Sequence, residues 1–342
     1  SILVFRFSAL GDIAMTIPVL RSFFNTYPNQ KIIFVSRGFV EPLFKEFDNL
    51  EFISVDFNND FKGLKGLLKL FKTLRKNKIK AVADLHNVLR TKILKLFFKL
   101  TFIKVQSIDK GRAERKKLTQ KKNKKFKPLT PIHYRYCDVF GRLGFPIDLT
   151  NHEYPIQPFL PENSEEQKIL SKSAGKRIIG IAPFASFAGK SYPLDLMQNV
   201  IAYLQKDHLI YLFGGGENEL KQIKVWENAY DNVIDIASPF NLTEQINIIT
   251  YTDLMISMDS ANGHIAANYG VPVLTIWGMT HPFCGFTPFD QGIENSIMID
   301  RNVYPEIPTS VFGNKIPKGY ESAFRAIEPK EVIEKALEIL KL

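Results

Sequence analysis

Cysteine is nearly missing from this chain: Cys137 and Cys284 are the two in 342 residues. They lie far apart and in no metal-ligand spacing, which excludes a disulfide scaffold and a thiolate metal site; two free thiols in a reducing compartment are expected. No apolar run is long enough to span a bilayer, and the chain opens on a strand-like Ile2-Leu3-Val4-Phe5-Arg6-Phe7 in place of a basic-then-apolar leader. Secretion is therefore not expected and a cytoplasmic location is. Also missing are a Gly-x-Gly-x-x-Gly and a glycine loop ending in Lys-Ser/Thr, so neither a dinucleotide fingerprint nor a triphosphate loop is present.

Acidic residues are scarce in one region. Between Phe61 and Pro128 three acids (Asp84, Asp109, Glu114) face 23 Lys or Arg, a local balance of +20 that leaves −10 on the rest of a chain of net charge +10. One belt thus carries all the basic character, and it fits an anionic membrane surface, a phosphorylated substrate or nucleic acid, with a plain solvated surface as the bland reading. No RNA- or DNA-reading motif accompanies the belt and its aromatics do not recur as a stacking platform, so a non-catalytic nucleic-acid-binding protein is the remote alternative.

What is present is ample apolar material, 45% of the residues with 12% aromatic, in a chain long enough for two domains. Strand candidates at residues 2–7, 31–36, 51–55 and 79–84 alternate with helical stretches, and the alternation restarts at 177–182, 209–213, 233–236, 254–257 and 271–276. A Pro-rich stretch, 151–162, reads as the linker between the halves. Residues 64–76 and 90–100 read as lysine-rich helices. The second is apolar enough to be mostly buried, with insertion at a membrane interface as its alternative. Residues 110–127 show little apolar periodicity and read as a mobile basic loop. Pro329 suits the first turn of a last helix running to Leu342.

Two turns carry candidate chemistry. Ser8-Ala9-Leu10-Gly11 leads into a helix beginning near Asp12, with Pro18 marking a kink or a late start, so Asp12 stands where a strand's carboxyl end meets a helix N-terminus. Asp259-Ser260-Ala261-Asn262-Gly263-His264 follows a buried strand and opens a helix whose first N–H groups suit a diphosphate, Asp259 or Ser260 otherwise serving as its cap. Between them, Gly214-Gly215-Gly216 permits a close backbone approach to a ligand or is simply a flexible turn.

The combination of the strand-SALGD-helix start, Ala83-Asp84-Leu85-His86 with Leu89-Arg90, Lys190-x-x-Pro193, the glycine turn and DSANGHIAA followed by Trp277-Gly278-Met279-Thr280 resembles glycosyltransferase family nine, the lipopolysaccharide heptosyltransferases. The resemblance implies a GT-B fold: two facing Rossmann-like domains with an interdomain cleft, here an acceptor-binding domain at 1–155, a nucleotide-sugar-binding domain at 156–328, and a C-terminal helix at 329–342 crossing back to the first domain. It implies an inverting transfer, typically of heptose from ADP-heptose, to a lipid A/Kdo-type acceptor, at the cytoplasmic face of the inner membrane. Asp12 then maps to the general base, its charged form favoured by the helix N-terminus. There is no Asp-x-Asp and the family works without a metal, so Lys190 and the backbone N–H groups of Ser260 to Gly263 are expected at the diphosphate. Asp259 maps to the transferred sugar, His264 lies beside the donor, Ser186 and Ser260 donate hydroxyls to phosphate, and Glu217 or Glu219 meets the ribose, Glu217 being favoured. Arg90, Arg112 and Arg115 are the acceptor-side candidates, and the basic belt of residues 61–128 is expected at the membrane. No cofactor is implied beyond the donor as co-substrate. Ala261 and Asn262 depart from the usual Gly-Leu, which keeps another ADP- or UDP-sugar open as donor.

Overall fold

The computed structural model describes residues 1–341, which divide into two compact units, Ser1–Lys110 with Ile132–Glu153, and Gly111–Pro131 with the chain from Tyr154 onward. Along the first stretch run β1 (Ile2–Phe5), α1 (Leu10–Ala14), α2 (Ile17–Thr26), β2 (Ile32–Ser36), β3 (Leu50–Ser54), α3 (Gly63–Leu74), β4 (Ala81–Asp84), α4 (Leu89–Lys99) and β5 (Lys104–Ser107). Then come α5 (Arg112–Thr119), which belongs to the other unit, and α6 (Ile132–Leu143). The sheet is parallel throughout, in the order β3-β2-β1-β4-β5. β1, β2 and β4 are buried along their whole length, as expected of strands covered on both faces. α1 and α2 part at Met15-Thr16, and Pro18 sits at the second position of α2, where its missing N–H leaves no helical bond unmade. Pro18 thus marks the late start.

The second unit holds α7 (Glu165–Ser171), β6 (Ile178–Ala182), α8 (Leu194–Leu204), β7 (Leu209–Leu212), α9 (Glu217–Ala229), β8 (Val233–Asp235), α10 (Leu242–Ile249), β9 (Leu254–Met258), α11 (Ala261–Ala267), β10 (Val273–Trp277), β11 (Ser296–Met298) and α12 (Pro329–Leu340). Its sheet is also parallel, in the order β11-β10-β9-β6-β7-β8. Each sheet is therefore built outward in one direction and then in the other, with one reversal between β1 and β4 and one between β6 and β9. Loops leaving the carboxyl ends of those two strand pairs diverge, and the crevice between them is where open α/β sheets take ligands. Among the described residues no helix is long and apolar enough to cross a membrane, and both cysteines are free and buried.

One expectation is corrected. Residues 110–127 are not a mobile loop, because α5 buries Leu118 completely and Phe126 and Leu129 pack with it against Phe283, Cys284, Phe286 and Val311. Those three apolar side chains, scattered among basic ones, outweigh the charge, and Lys124 donates to the Leu118 and Pro308 carbonyls at 2.8 Å each. For the same reason residues 111–131 group with the second unit. The last helix, α12, groups with the second unit. Val332, Ala336, Ile339 and Leu340 lie in the core of the second, where the helix packs on α8 and β9. β5, β11, α7 and α9 were not anticipated: two strands are only three or four residues long, and α7 is a single capped run behind Ser164.

Leu118→Asp places a carboxylate among apolar side chains, a cost of about 3 kcal/mol or more for that docking. Limited trypsin digestion is expected to leave Lys116 to Lys125 largely uncut in the wild type and to cleave there rapidly in the variant; equal cleavage of both contradicts a docked segment.

Candidate functional site

At the reversal of the first sheet, β1 runs on into Arg6, an arginine inside an otherwise apolar strand. Such a buried cation must find partners. Its Nη2 pairs with Asp12 Oδ2 at 2.6 Å and its Nη1 donates to the Leu85 carbonyl at 2.8 Å. Arg6 is the residue that sequence reasoning passed over, and its place in that strand was the available signal. Asp12, in the first turn of α1, also receives the Ala9 N–H at 3.4 Å, while its own carbonyl accepts from the Tyr136 hydroxyl at 3.2 Å. From the adjacent strand β4 comes His86, whose Nδ1 accepts the Phe7 N–H at 3.3 Å. Burial, then the positive charges of Arg6 and Lys110, hold His86 down to about 3, so the neutral ring is the form built in. Asp84, fully buried, accepts the His86 and Asn87 N–H groups and pairs with Lys95 at 2.8 Å, which shapes this turn.

The same unit carries a polar pocket of about 310 Å³ at the carboxyl ends of β2 and β3, lined by Arg37, Ser54, Asp56, Phe57, Asn58 and Arg90. Arg90, at the start of α4, lies over the Phe57 ring with its Cζ 5.0 Å from the centroid. Asp56 is capped by the Asn58 and Asn59 N–H groups and the Asn59 side chain. Two guanidinium groups with one carboxylate suit an anionic group on a ligand.

At the reversal of the second sheet, the loop after β6 folds as a short 3₁₀ turn, Ala188–Lys190, and delivers Lys190 to the end of β9. Lys190 Nζ pairs with Asp259 Oδ2 at 2.7 Å and donates to the Asp259 carbonyl at 3.2 Å. Both side chains are largely out of water, Asp259 at 4% exposure and Lys190 at 16%. The turn is seated by the loop after β10: the Met279 N–H donates to the Gly189 carbonyl at 2.7 Å. A Cβ at Gly189 would strike the Gly313 carbonyl, and one at Gly278 would strike the Phe324 ring. Close backbone approach, not flexibility, is the reason for glycine there.

Ser260 occupies the N-cap position of α11 but makes no side-chain cap; its hydroxyl lies 3.2 Å from that of Ser257. The first N–H groups of the helix, at Ala261, Asn262 and Gly263, therefore have no side-chain cap from Ser260. Ala261 and Asn262 are half-buried, while Gly263 and His264 are buried. Lys190, Asp259, Ser260 and the start of α11 are therefore brought together. Ser186 is exposed on the β6 loop. Glu219 folds back to accept the Gly215 N–H at 2.8 Å, whereas the favoured Glu217 is exposed and pairs with Lys221 at 2.6 Å. Arg112 and Arg115 are carried by the second unit, apart from Arg90 in sequence grouping; Arg115 lies over the Phe286 ring at 5.0 Å. Beside them His281, whose Nδ1 accepts the Phe283 N–H, is lowered to about 4 by burial and then by Arg301 and Lys124.

Residues 67–316 match the family model described as glycosyltransferase family 9 (heptosyltransferase). The chain is 23% identical over 316 residues to the lipopolysaccharide core heptosyltransferase OpsX of Haemophilus influenzae, covering 92% of this chain and 87% of that protein. Among solved structures, a family 9 glycosyl transferase from Veillonella parvula superposes with a TM-score of 0.75 at 20% identity, covering 99% of this chain and 97% of the other. The ADP-heptose lipopolysaccharide heptosyltransferase II of E. coli follows at 0.70 and 18%, covering 100% and 98%. These likenesses show the GT-B fold, two parallel sheets flanked by helices.

Two outcomes follow from the paired groups. Lys190→Met leaves the Asp259 carboxylate buried without its cation and is expected to destabilise the protein by about 3–5 kcal/mol, most of it recovered when Asp259→Asn is added; urea midpoints of the single and double variants check this, and a single variant as stable as wild type contradicts it. For His86 the folded-state value lies below the ordinary 6.5, so its contribution to stability is full above 6.5 and is lost as pH falls from there toward about 3. His86→Gln removes that part of the acid slope, read as a smaller drop in urea midpoint between neutral and mildly acidic buffer than in the wild type.

Proposed function

The chain belongs to glycosyltransferase family 9 and is a glycosyltransferase; from that premise we propose that it moves heptose from ADP-heptose, with inversion and without a metal, onto a lipid A/Kdo-type acceptor in lipopolysaccharide core assembly. The observation that carries the reading is the Lys190–Asp259 pair at the reversal of the second sheet, set beside the first turn of α11, which the Ser260 side chain does not cap. A cation and converging N–H groups at one point suit the diphosphate of a nucleotide-sugar, whose negative charge grows as it leaves. The structural relatives, which include an ADP-heptose heptosyltransferase II and an ADP-bound heptosyltransferase from E. coli, support ADP-heptose as the donor.

In this reading the acceptor oxygen forms a bond to the anomeric carbon as the bond to the diphosphate breaks. The electron pair leaves with ADP, and the acceptor's hydroxyl proton passes to Asp12. Arg6 fixes the orientation of Asp12, which matters more than basicity for a carboxylate acting as base. Lys190 releases Asp259 in part when the diphosphate arrives, leaving that carboxylate to accept from the sugar's hydroxyls. Ser186, Ser260 and His264 complete the donor cradle, and one of Glu217 and Glu219 accepts from the ribose; the exposed Glu217 is the freer to reorient from its ion pair with Lys221. Arg90, in the pocket with Arg37, is the acceptor-side candidate, and Arg112 and Arg115 act from the second unit. The acceptor is lipid-anchored, so the enzyme works as a peripheral protein at the cytoplasmic surface of the inner membrane. A different ADP- or UDP-sugar as donor is the second reading, favoured by Asn262 where the family has an apolar residue.

Asp12→Asn is expected to lower kcat by about 10²–10⁴-fold while leaving the rise in melting temperature with ADP unchanged. Retained turnover excludes Asp12 as the base. A melting shift with UDP and none with ADP or an ADP-sugar moves the assignment to the second reading.

A further inference from the structure

The basic belt is divided between the two units. Its most basic piece, residues 111–128, is docked on the second unit, and what remains is carried by α3, α4 and their flanks in the first. The connections β3 to β4 and β4 to β5 run in the same direction across the first sheet, opposite to β1 to β2 to β3. Because parallel crossovers are right-handed, α3 and α4 share one face of the sheet and form its outer layer there. Their packing agrees, with Phe71 of α3 meeting Phe97 and Phe98 of α4 at ring separations of 5.4 and 5.0 Å. Leu67, Leu70 and Leu74 of α3 and Leu94 and Phe98 of α4 point inward into the core.

The outward stripes are not what a solvated layer presents. On α3, Leu64 and Leu68 are exposed among Lys65, Lys69 and Lys72; on α4, Leu89, Leu96 and Leu100 are exposed at helical spacing with Lys92 and Lys99 between them. At the end of α4 Phe102 stands 99% exposed, and Leu100 beside it is 71% exposed. Residues 61–108 hold thirteen Lys or Arg (eight before Asp84, five after), and Asp84, the one acid, is buried and already paired with Lys95. Large apolar side chains projecting from a field of lysines, with no exposed carboxylate in the segment, have the make-up of an interfacial surface. The lysines meet phosphate groups while the leucines and the phenylalanine enter the acyl boundary. Nucleic acid would use the lysines and leave the leucines without a partner.

We propose that the α3–α4 layer, with Phe102 at its apex, is the membrane-docking face and that its partner is an anionic phospholipid surface. The assignment rests on the reading that the acceptor is lipid-anchored. It says which part of the belt does the docking: the outer helices of the first unit, not the 111–128 segment. Each lysine near the surface contributes about fivefold to binding, and the inserted apolar side chains convert that attraction into attachment that survives salt.

The test is co-sedimentation with vesicles of phosphatidylethanolamine and phosphatidylglycerol, against vesicles of phosphatidylcholine alone. Wild type is expected to sediment with the anionic vesicles only. Leu96→Ser with Leu100→Ser and Phe102→Ser is expected to lose about tenfold or more of that binding, and all of it at raised salt. Lys65→Gln, Lys69→Gln, Lys72→Gln and Lys99→Gln together lose as much, whereas the charge-matched control Lys116→Gln, Lys117→Gln, Lys122→Gln and Lys125→Gln loses little. All substituted residues are outside the candidate site, so the melting shift with ADP is measured on every variant. A wild type that takes ADP but ignores anionic vesicles, an unchanged serine variant, or a larger loss in the control overturns the docking face and leaves the transferase standing. Vesicle binding without any response to ADP keeps the face and removes the donor assignment. Loss of self-association or of oligonucleotide binding in the serine variant, with vesicle binding intact, also overturns it.

Discussion

A parallel sheet that is built outward in both directions must reverse once, and at that point the loops leaving two neighbouring strands turn away from each other. Everything polar that these loops carry then stands at the rim of buried central strands, where a charge without a partner costs several kcal/mol. Both units meet this constraint with a cation beside a carboxylate: Arg6, at the end of β1, pairs with Asp12 of the following helix and reaches the Leu85 carbonyl after β4, and Lys190, after β6, pairs with Asp259, after β9. Neither pair is strong evidence for stability, since desolvation offsets most of the attraction. What the pairs do is fix geometry. Asp12 is oriented by two elements, and Lys190 is held at the end of β9 by a turn whose glycines leave no room to shift.

The same constraint explains the neutral histidines. His86 and His281 sit in turns beside guanidinium groups, and each uses Nδ1 to accept a backbone N–H two or more residues away. Protonation would remove that acceptor and place a second positive charge beside the first, which is why burial and the neighbouring cations act in one direction on both. They are built as hydrogen-bond acceptors that orient loops.

Much of this was legible in the sequence because strand runs in parallel sheets are continuous and apolar. β1, β2, β6, β9 and β10 were visible for that reason, and so were the turns after them. Asp12 and the Asp259 to His264 segment could be placed at strand ends by counting from those runs, and the family likeness supplied their expected roles. Pairings were not legible. Nothing local to Arg6 names Asp12 as its partner, and nothing local to Glu217 or Glu219 says which one turns back on Gly215. The 111–131 segment failed for a different reason: its three docking side chains are too few to make a period, and their partners lie about 160 residues further along the chain. Likewise α12 has an ordinary amphipathic pattern, which says that a face is buried but not against which sheet.

The departure from family pattern at Ala261 and Asn262 can be weighed from the backbone. Glycine would be required at 261 if that residue took a left-handed conformation or if its Cβ met a neighbour. Ala261 is the first residue of α11 and is not among the residues with positive φ. The position that does need a small residue is Gly263, whose Cβ would lie against the Ser257 side chain and Val273. Ala261 therefore costs the backbone of the turn little. Asn262 is the consequential change. It is half-buried at the second position of α11, beside the pair that would meet the diphosphate, and it brings one acceptor and two donor hydrogens where an apolar side chain brings none. A site that hydrogen-bonds a hydroxyl rejects the analogue lacking it far more strongly than an apolar wall rejects an extra one. Under the proposed donor reading, residue 262 is accordingly the departure that bears on which sugar is taken, since it alone of the two adds hydrogen-bonding groups.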